Sequence, residues 1–305
     1  MSMMLIDDIS SLRRCLTSWR RRGRSIALVP TMGNLHAGHL ALVREARKVA
    51  DRTLVSIFVN PLQFGPNEDF ESYPRTLERD RELLEAEGAD LLFAPPVQAV
   101  YLHGFQGQTC VEVLELSNIL CGASRPGHFA GVATVVCKLF NMAQPDIAIF
   151  GEKDYQQLLV IRRMVENLCL PVEVRGLATV REPDGLAMSS RNGYLSPQER
   201  AHAPALYKAL CRAGERLREG LAASEVERMG AEALVVEGLR LDYFSVRRAS
   251  DLQPATAKDQ DLVVLTAAYL GVARLIDNLR VSLSDMAVPA TAATEGSESA
   301  NHRVR

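Results

Sequence analysis

The chain has 305 residues, 47% of them hydrophobic and 24% charged, with a formal net charge of −2. That balance suits a soluble globular protein long enough for two ordinary domains. It excludes a broad electrostatic attraction to nucleic acid or to an anionic membrane, and leaves room only for a local basic site.

The chain opens "MSMMLIDDIS", acidic where a secretory signal is basic, and no long apolar stretch follows. Strand-like runs are expected at 25–30, 53–59, 90–93, 109–113, 146–150 and 172–175. Helical patterns lie between them at 38–50, 76–87, 129–143 and 154–168. In the second of these, 76–87, Thr76 is a candidate N-cap and Gly88 the stop. Short β-branched runs separated by amphipathic segments predict βαβ units and a mainly parallel sheet. The character changes near residue 180. "SPQERAHAPALYKALCRAGERLREG" predicts one long helix, opened by Ser196, Pro197 and Glu199 as a capping box. A second helix is expected at 224–238, then strands at 241–247, 261–267 and 272–277. The expected organisation is therefore an α/β domain over 1–180, a smaller α+β domain over 181–283, and a disordered tail over 284–305 that is small, polar and aperiodic. The longest apolar-rich segment, 262–275, is broken by Thr266, Tyr269, Gly271 and Arg274 and is too short to span a bilayer. The six cysteines form no C-x-x-C pair. They read as reduced, mostly buried thiols of a cytoplasmic protein.

Ligands of an open α/β sheet bind beyond the carboxyl ends of its strands. Four polar clusters fall at such ends or at the domain junction: "PTMGNLHAGH" (30–39), "NPLQF" (60–64), "GEKDYQQ" (151–157) and "AMSSRNGYL" (187–195). His36 and His39 occupy the first turn of a helix, where free backbone N–H groups and the positive end of the dipole favour an anion. Gly33 and Gly38 would let a phosphate approach closely. A metal site would need a third ligand, and the zinc-protease pattern spaces its histidines four apart rather than three. Local packing of two histidines is the remaining alternative. Lys153 is a mobile charge for phosphate or a solvated surface lysine. Ser189, Ser190 and Arg191 suit phosphate oxygens, or form an ordinary turn before Ser196. Gln63 and Gln157 donate and accept together, which suits a small molecule with hydroxyls and a carboxylate. Glu78 and Asp80 lie on a helix, either near a metal–phosphate complex or on its solvated face. Arg125 and His128 form a further polar pair at the start of a core helix.

Taken together, these motifs resemble a known family. "PTMGNLHAGH" resembles the H-x-G-H signature of the nucleotidylyltransferase superfamily, and "MSSR" its second phosphate motif. With "FVNPLQF", "YPRT", "RPGHFAGV", "FGEKDYQQ" and "DGLAMSSRNGYL" in this order, the chain resembles the pantoate–β-alanine ligases. The resemblance implies a Rossmann-like first domain, a smaller second domain and a homodimer. It implies condensation of pantoate with β-alanine through a pantoyl adenylate, using ATP and Mg²⁺ and releasing AMP and pyrophosphate. By position it implies ATP contacts at Pro30, Thr31, Met32, His36, His39, Gly151, Lys153, Asp154, Val180, Met188, Ser189, Ser190 and Arg191. Among these, His36, His39, Lys153, Ser189, Ser190 and Arg191 would be catalytic. It implies pantoate contacts at Gln63 and Gln157, and a Mg²⁺ role for Asp80. No nucleic acid or membrane partner is implied. Two positions depart from the pattern. Ala37 stands where many members carry glutamate, and is expected to point away from the phosphates. Arg79 precedes Asp80 where some members have a second acid. The rival readings are another nucleotidylyltransferase, a tRNA-charging enzyme, and a non-enzymatic nucleotide-binding regulator on the same fold.

Overall fold

The computed structural model describes residues 3–66 and 68–284. The tail expected at 284–305 lies, from residue 285 on, outside the described residues. The elements in chain order are β1 (Met4–Ile6), α1 (Ile9–Arg20), β2 (Ile26–Thr31), α2 (Ala37–Val49), β3 (Arg52–Ile57), α3 (Leu77–Ala86), β4 (Leu91–Phe93), α4 (Val97–Val100), α5 (Cys121–Ser124), α6 (His128–Ala143), β5 (Ile147–Gly151), α7 (Tyr155–Asn167) and β6 (Glu173–Leu177). The remainder is α8 (Pro197–His202), α9 (Ala205–Arg218), α10 (Ala223–Val236), β7 (Arg240–Arg248), β8 (Asp261–Leu270) and β9 (Ala273–Ser282).

The first six strands form one sheet in the order β1-β4-β3-β2-β5-β6, with every pairing parallel. The central strands are apolar on both faces, as a sheet covered by helices on both sides requires. From β2 the chain winds outward to β3 and β4. From β5 it winds the other way to β6. The order reverses between β2 and β5, so a crevice opens at their carboxyl ends. The last three strands form a separate antiparallel sheet, β7-β8-β9. Its apolar residues pack on α9 and α10, for example Val264 and Leu275 with Leu206 and Leu210. The two sheets do not have wholly separate interiors. Ala249, Leu252, Val263 and Leu265 join the same apolar cluster as α6 and α7, and the Tyr155 hydroxyl donates to the Ala249 carbonyl at 2.9 Å.

Sequence patterning assigns nothing to 4–20, where the structure places β1 and α1. The signal was present: Asp8 caps α1 by accepting from the Ser11 N–H at 2.8 Å, and Leu12, Leu16 and Trp19 repeat at helical spacing on the buried face. The strand expected at 109–113 is irregular. It pairs with no strand among the described residues, and the Val111 N–H is satisfied by Thr134 Oγ1 on α6 at 2.9 Å. The capping box at Ser196 forms as expected, with both reciprocal bonds to Glu199. The long helix that it begins is instead two helices, α8 and α9. Pro204 has no N–H to continue the ladder and stands at the N-cap of α9. Gly88 takes the expected left-handed conformation after α3 (φ +75°). Thr76 makes no capping bond to the helix, because its hydroxyl donates to the Asp80 side chain. Only Cys121 of the six cysteines is buried. Cys110 and Cys169 are exposed, so the expectation of mostly buried thiols is corrected.

One close approach sets the position of a cleft residue. Gly131 of α6 lies against the 61–63 turn, and a Cβ there would stand 2.3 Å from the Leu62 carbonyl oxygen. Asn60 ties the same two segments by donating to the Gly131 carbonyl at 3.1 Å. Gly131→Ala is therefore expected to force the turn off the helix and to destabilise the protein by about 1–3 kcal/mol. A urea midpoint equal to that of the unmodified protein would rule this contact out as a constraint.

Candidate active site

A cleft of about 880 Å³ opens at the carboxyl ends of β2 and β5 and is closed on its far side by β9 and the 188–194 segment. Its first wall is the turn that follows β2. Gly33 (φ +82°) and Asn34 (φ +50°) reverse the chain in left-handed conformations. The buried Asp80 carboxylate holds them there, accepting from Asn34 N–H and Leu35 N–H at 2.8 Å each and from Thr76 Oγ1 at 3.1 Å. A side chain at Gly33 would meet Asp80 at 3.0 Å and Ile57 at 3.1 Å, so glycine is needed for conformation and for space.

His36 is the N-cap of α2 and His39 its third residue. The two form a capping box made of imidazoles. His36 Nδ1 accepts from Gly38 N–H at 3.2 Å, and His39 Nδ1 accepts from His36 N–H at 3.4 Å. The rings lie 4.1 Å apart between centroids. A backbone donor aimed at Nδ1 requires that nitrogen to be unprotonated, so each ring carries its hydrogen on Nε2. The local charge agrees. Burial, with Lys153 nearby, lowers His36 to about 4. Burial, with His36 and Lys153, lowers His39 to about 3. Gly38 serves the ring rather than a ligand: a Cβ there would lie 2.9 Å from His36 Cε1. Ala37 is exposed and does not line the cleft, as expected.

The turn after β5 supplies Gly151, Lys153 and Asp154, and the first turn of α7 supplies Gln157. Lys153 Nζ stands 3.7 Å from Asp154 Oδ1, a loose pair that leaves the ammonium able to turn to a ligand. The third wall begins at a short hairpin, where Arg181 bridges to Ala187 and Met188 N–H donates to the Val180 carbonyl. Beyond it Ser189 caps the 190–194 turn by accepting from Arg191 N–H at 3.2 Å. Arg191 is held by Asp69 at 3.0 Å, which also accepts from the Tyr194 hydroxyl at 3.3 Å. Tyr73 reaches the Ser190 hydroxyl at 3.4 Å.

Gln63 marks the apolar end. Its Oε1 accepts from Asn60 at 3.1 Å and its Nε2 lies 3.1 Å from the Met32 sulfur, a weak acceptor. Phe129, Val132, Val135 and Val136 of α6 line the cleft beside it. Arg125 and His128 brace this end. Arg125 pairs with Glu68 and donates to the Gln63 carbonyl, and His128 Nδ1 lies 2.8 Å from the same oxygen. Burial, reinforced by Arg125, lowers His128 to about 4.

The expected residues Pro30, Thr31, Met32, His36, His39, Gln63, Gly151, Lys153, Asp154, Gln157, Val180, Met188, Ser189, Ser190 and Arg191 all line this one cleft. Asp80 does not. Both of its oxygens are occupied by the 33–35 turn and by Thr76, so its expected metal role gives way to a structural one. No group of three histidine, cysteine or acidic side chains able to hold a metal is found among the described residues. Sequence reasoning missed Glu68, Asp69 and Tyr73, and also Arg274, Asp277 and Asn278 of β9. The last two left one signal, an adjacent acid and amide in mid-strand between apolar Leu275–Ile276 and Leu279.

The profile of the family described as Pantoate-beta-alanine ligase matches residues 4–280. The chain belongs to the pantoate–β-alanine ligase family. It is 57% identical over 275 residues to the pantothenate synthetase of Shewanella oneidensis, covering 90% of this chain and 97% of that one. The enzyme of the same name from Chromohalobacter salexigens is 56% identical over 281 residues, covering 92% and 99%. The crystal structure of pantothenate synthetase from Thermus thermophilus superposes with a TM-score of 0.85 at 50% identity, covering 91% of this chain and 99% of that one. A Francisella tularensis pantoate–β-alanine ligase, solved with β,γ-ATP and β-alanine, gives 0.77 at 34%, covering 91% and 97%. As a pantoate–β-alanine ligase, this chain forms an amide bond with the consumption of ATP, and it builds the cleft on the α/β fold expected for it.

The neutral histidines make stability depend on pH. Below the ordinary imidazole value of 6.5, unfolded histidines take up protons that His36, His39 and His128 refuse until about 4, 3 and 4. Their contribution is therefore complete above about pH 6.5 and is lost progressively as pH falls below that, through the folded values of about 4 and 3. Urea midpoints should drop between about pH 7.5 and about pH 4.5. A midpoint that rises on acidification would show that these rings are charged in the folded protein.

Proposed function

We propose that the cleft seats ATP along the histidine, lysine and serine–arginine walls and pantoate at the glutamine end, and joins them as pantoyl adenylate before β-alanine arrives. The observation that carries this reading is that cationic, imidazole and hydroxyl groups from three separate segments open into the same space as Gln63, Gln157 and an apolar wall. Pantoate has two hydroxyls, a carboxylate and two methyl groups on one carbon. The two amides match the polar groups, and the α6 valines match the methyls.

A carboxylate is a poor acyl donor because its oxygen leaves badly. In the first step a pantoate carboxylate oxygen attacks the α-phosphorus of ATP. The bond from that phosphorus to the bridging oxygen breaks, and pyrophosphate leaves. The protein's part is positioning and charge stabilisation. His36 and His39 donate from Nε2 as neutral rings, the first-turn N–H groups of α2 add their dipole, and Lys153 and Arg191 supply positive charge. Ser189 and Ser190 add hydroxyl donors. In the second step the neutral amine of β-alanine attacks the acyl carbon, the bond to the phosphate oxygen breaks, and AMP leaves. The nitrogen gives up one proton as the amide forms, which passes to the departing AMP phosphate or to water, so no protein base is assigned.

The donor set fits Mg²⁺ carried on ATP rather than caged by protein. Glu68, Asp69 and Asp277 are already committed to Arg125, Arg191 and Arg181. Asp154, with only its loose contact to Lys153, is the carboxylate with capacity left among the described cleft residues. When bound, Mg²⁺ would neutralise phosphate charge, and a site of one carboxylate, water and phosphates is its usual habit.

We further read residues up to about 180 as the nucleotide and pantoate domain and 181–283 as a lid. The lid reading is supported by the cleft-facing groups of the 188–194 segment and β9. We also propose a homodimer, which the family resemblance implies, and a cytoplasmic location, which the cysteine usage suggests. Light scattering on the purified protein checks the dimer, and a monomeric mass at working concentration would exclude it. Among the described residues no helix is long and apolar enough to cross a membrane.

Mass detection of pantothenate and AMP from ATP, pantoate and β-alanine tests the whole reaction. Within it, Lys153→Ala and His39→Ala should each lower pantoate-dependent exchange of pyrophosphate into ATP by roughly 10²–10³-fold. Gln63→Ala and Gln157→Ala should chiefly raise the pantoate concentration needed. Near-normal exchange in the first pair, or unchanged pantoate dependence in the second, would remove those residues from these roles.

A further inference from the structure

Lys153 sits on a three-residue turn, Glu152–Asp154, between β5 and α7. Asp154, the N-cap of α7, makes no side-chain capping bond, so the turn is not fastened by the usual local device. It is fastened instead from the other sheet. The buried side-chain amide of Asn278 on β9 donates to the Glu152 carbonyl at 2.8 Å and to the Lys153 carbonyl at 2.9 Å. Both amide hydrogens are thus engaged by consecutive carbonyls of the lysine turn. Asn278 is itself fixed. Its N–H donates to Asp277 Oδ1 at 2.8 Å, and Asp277 is gripped by Arg181 through both oxygens at 2.6 and 3.0 Å. Arg181 also donates to the Gly185 carbonyl and lies over the Tyr207 ring at 3.7 Å. That arginine is the base of the hairpin leading to Ser189 and Arg191. Two adjacent residues of one strand therefore touch both phosphate-binding segments, one directly and one through Arg181.

We propose that Asn278 is a positioning residue for Lys153, held in register by the Asp277–Arg181 pair so that the lysine turn and the serine–arginine turn keep a fixed separation. This rests on the reading of Lys153 as a phosphate-stabilising group. Losing the two bonds leaves two carbonyls seeking other donors and lets the turn swing, which removes the lysine from the developing charge without removing the lysine itself.

The test is a double-mutant cycle on adenylation, measured as pantoate-dependent pyrophosphate exchange. Asn278→Ala should lower the rate at saturating ATP and pantoate by roughly 10–100-fold in the unmodified background, with KM for pantoate nearly unchanged. In a Lys153→Ala background the same change should lower it by less than about twofold, because the residue it positions is gone. Equal losses in the two backgrounds would overturn the proposal. If Lys153→Ala alone keeps normal exchange, the reading of the lysine fails first, and the two failures are distinguishable. Asn278→Ser, which keeps one donor on a shorter arm, should retain an intermediate rate. It carries the same cycle if thermal melting shows that the alanine variant does not fold.

Discussion

The site depends on one buried carboxylate. Asp80 reaches from α3 across to the turn after β2 and accepts two consecutive backbone N–H groups, from Asn34 and Leu35. Those donors point the same way only because Gly33 and Asn34 adopt left-handed conformations. Left-handed backbone is unfavourable for a residue with a side chain, so a turn containing it persists only when its surroundings over-determine it. The carboxylate supplies that determination, and the helix entry at His36 follows from it. A buried carboxylate with three hydrogen-bond donors is satisfied, whereas one left without partners costs free energy.

From that turn outward the cleft is arranged by pairs that leave selected groups uncommitted. The histidines direct Nδ1 at backbone donors, which fixes the tautomer and leaves Nε2–H as the remaining donor of each ring. Glu68, Asp69 and Asp277 are bound to arginines, which orients Arg125, Arg191 and Arg181. Lys153, by contrast, keeps a loose partner. Groups held this way need little reorganisation when charge develops, and that is how a transition state in nucleotidyl transfer is stabilised with little covalent work by the protein.

The antiparallel sheet is more than a cover. Its interior is continuous with that of the parallel sheet at Leu252, Val263 and Leu265, and β9 hydrogen-bonds the lysine turn. The position of the smaller sheet is thereby linked to that of the Lys153 turn. The linkage is mechanical: two amide hydrogens on consecutive carbonyls resist both translation and twist of that turn.

The local chemistry was legible in the sequence wherever it depends on neighbours in the chain. Strand-to-helix handovers at 30–39 and 150–157, the Ser196 capping box and the parallel α/β pattern all follow from short-range periodicity and capping. So do the polar residue types of the cleft, because polar groups gather beyond the carboxyl ends of the strands. What escaped depends on distant partners. Asp80 reads as a surface or metal-site acid until the turn it holds is seen 45 positions away. The 109–113 run looks like a strand but finds no neighbour to pair with among the described residues. Asp277 and Asn278 look like interruptions of the apolar residues around them in β9, and only the packing of β9 against the β5 turn gives them a role. Residue types and their periodicity were determined by the sequence alone. Which carboxylate is free, which is engaged, and which amide steadies the lysine were decided by tertiary structure. The physical reason is distance along the chain: the bonds from Asn278 to the lysine turn join segments 126 and 125 residues apart, and such a contact leaves no periodic trace in either segment.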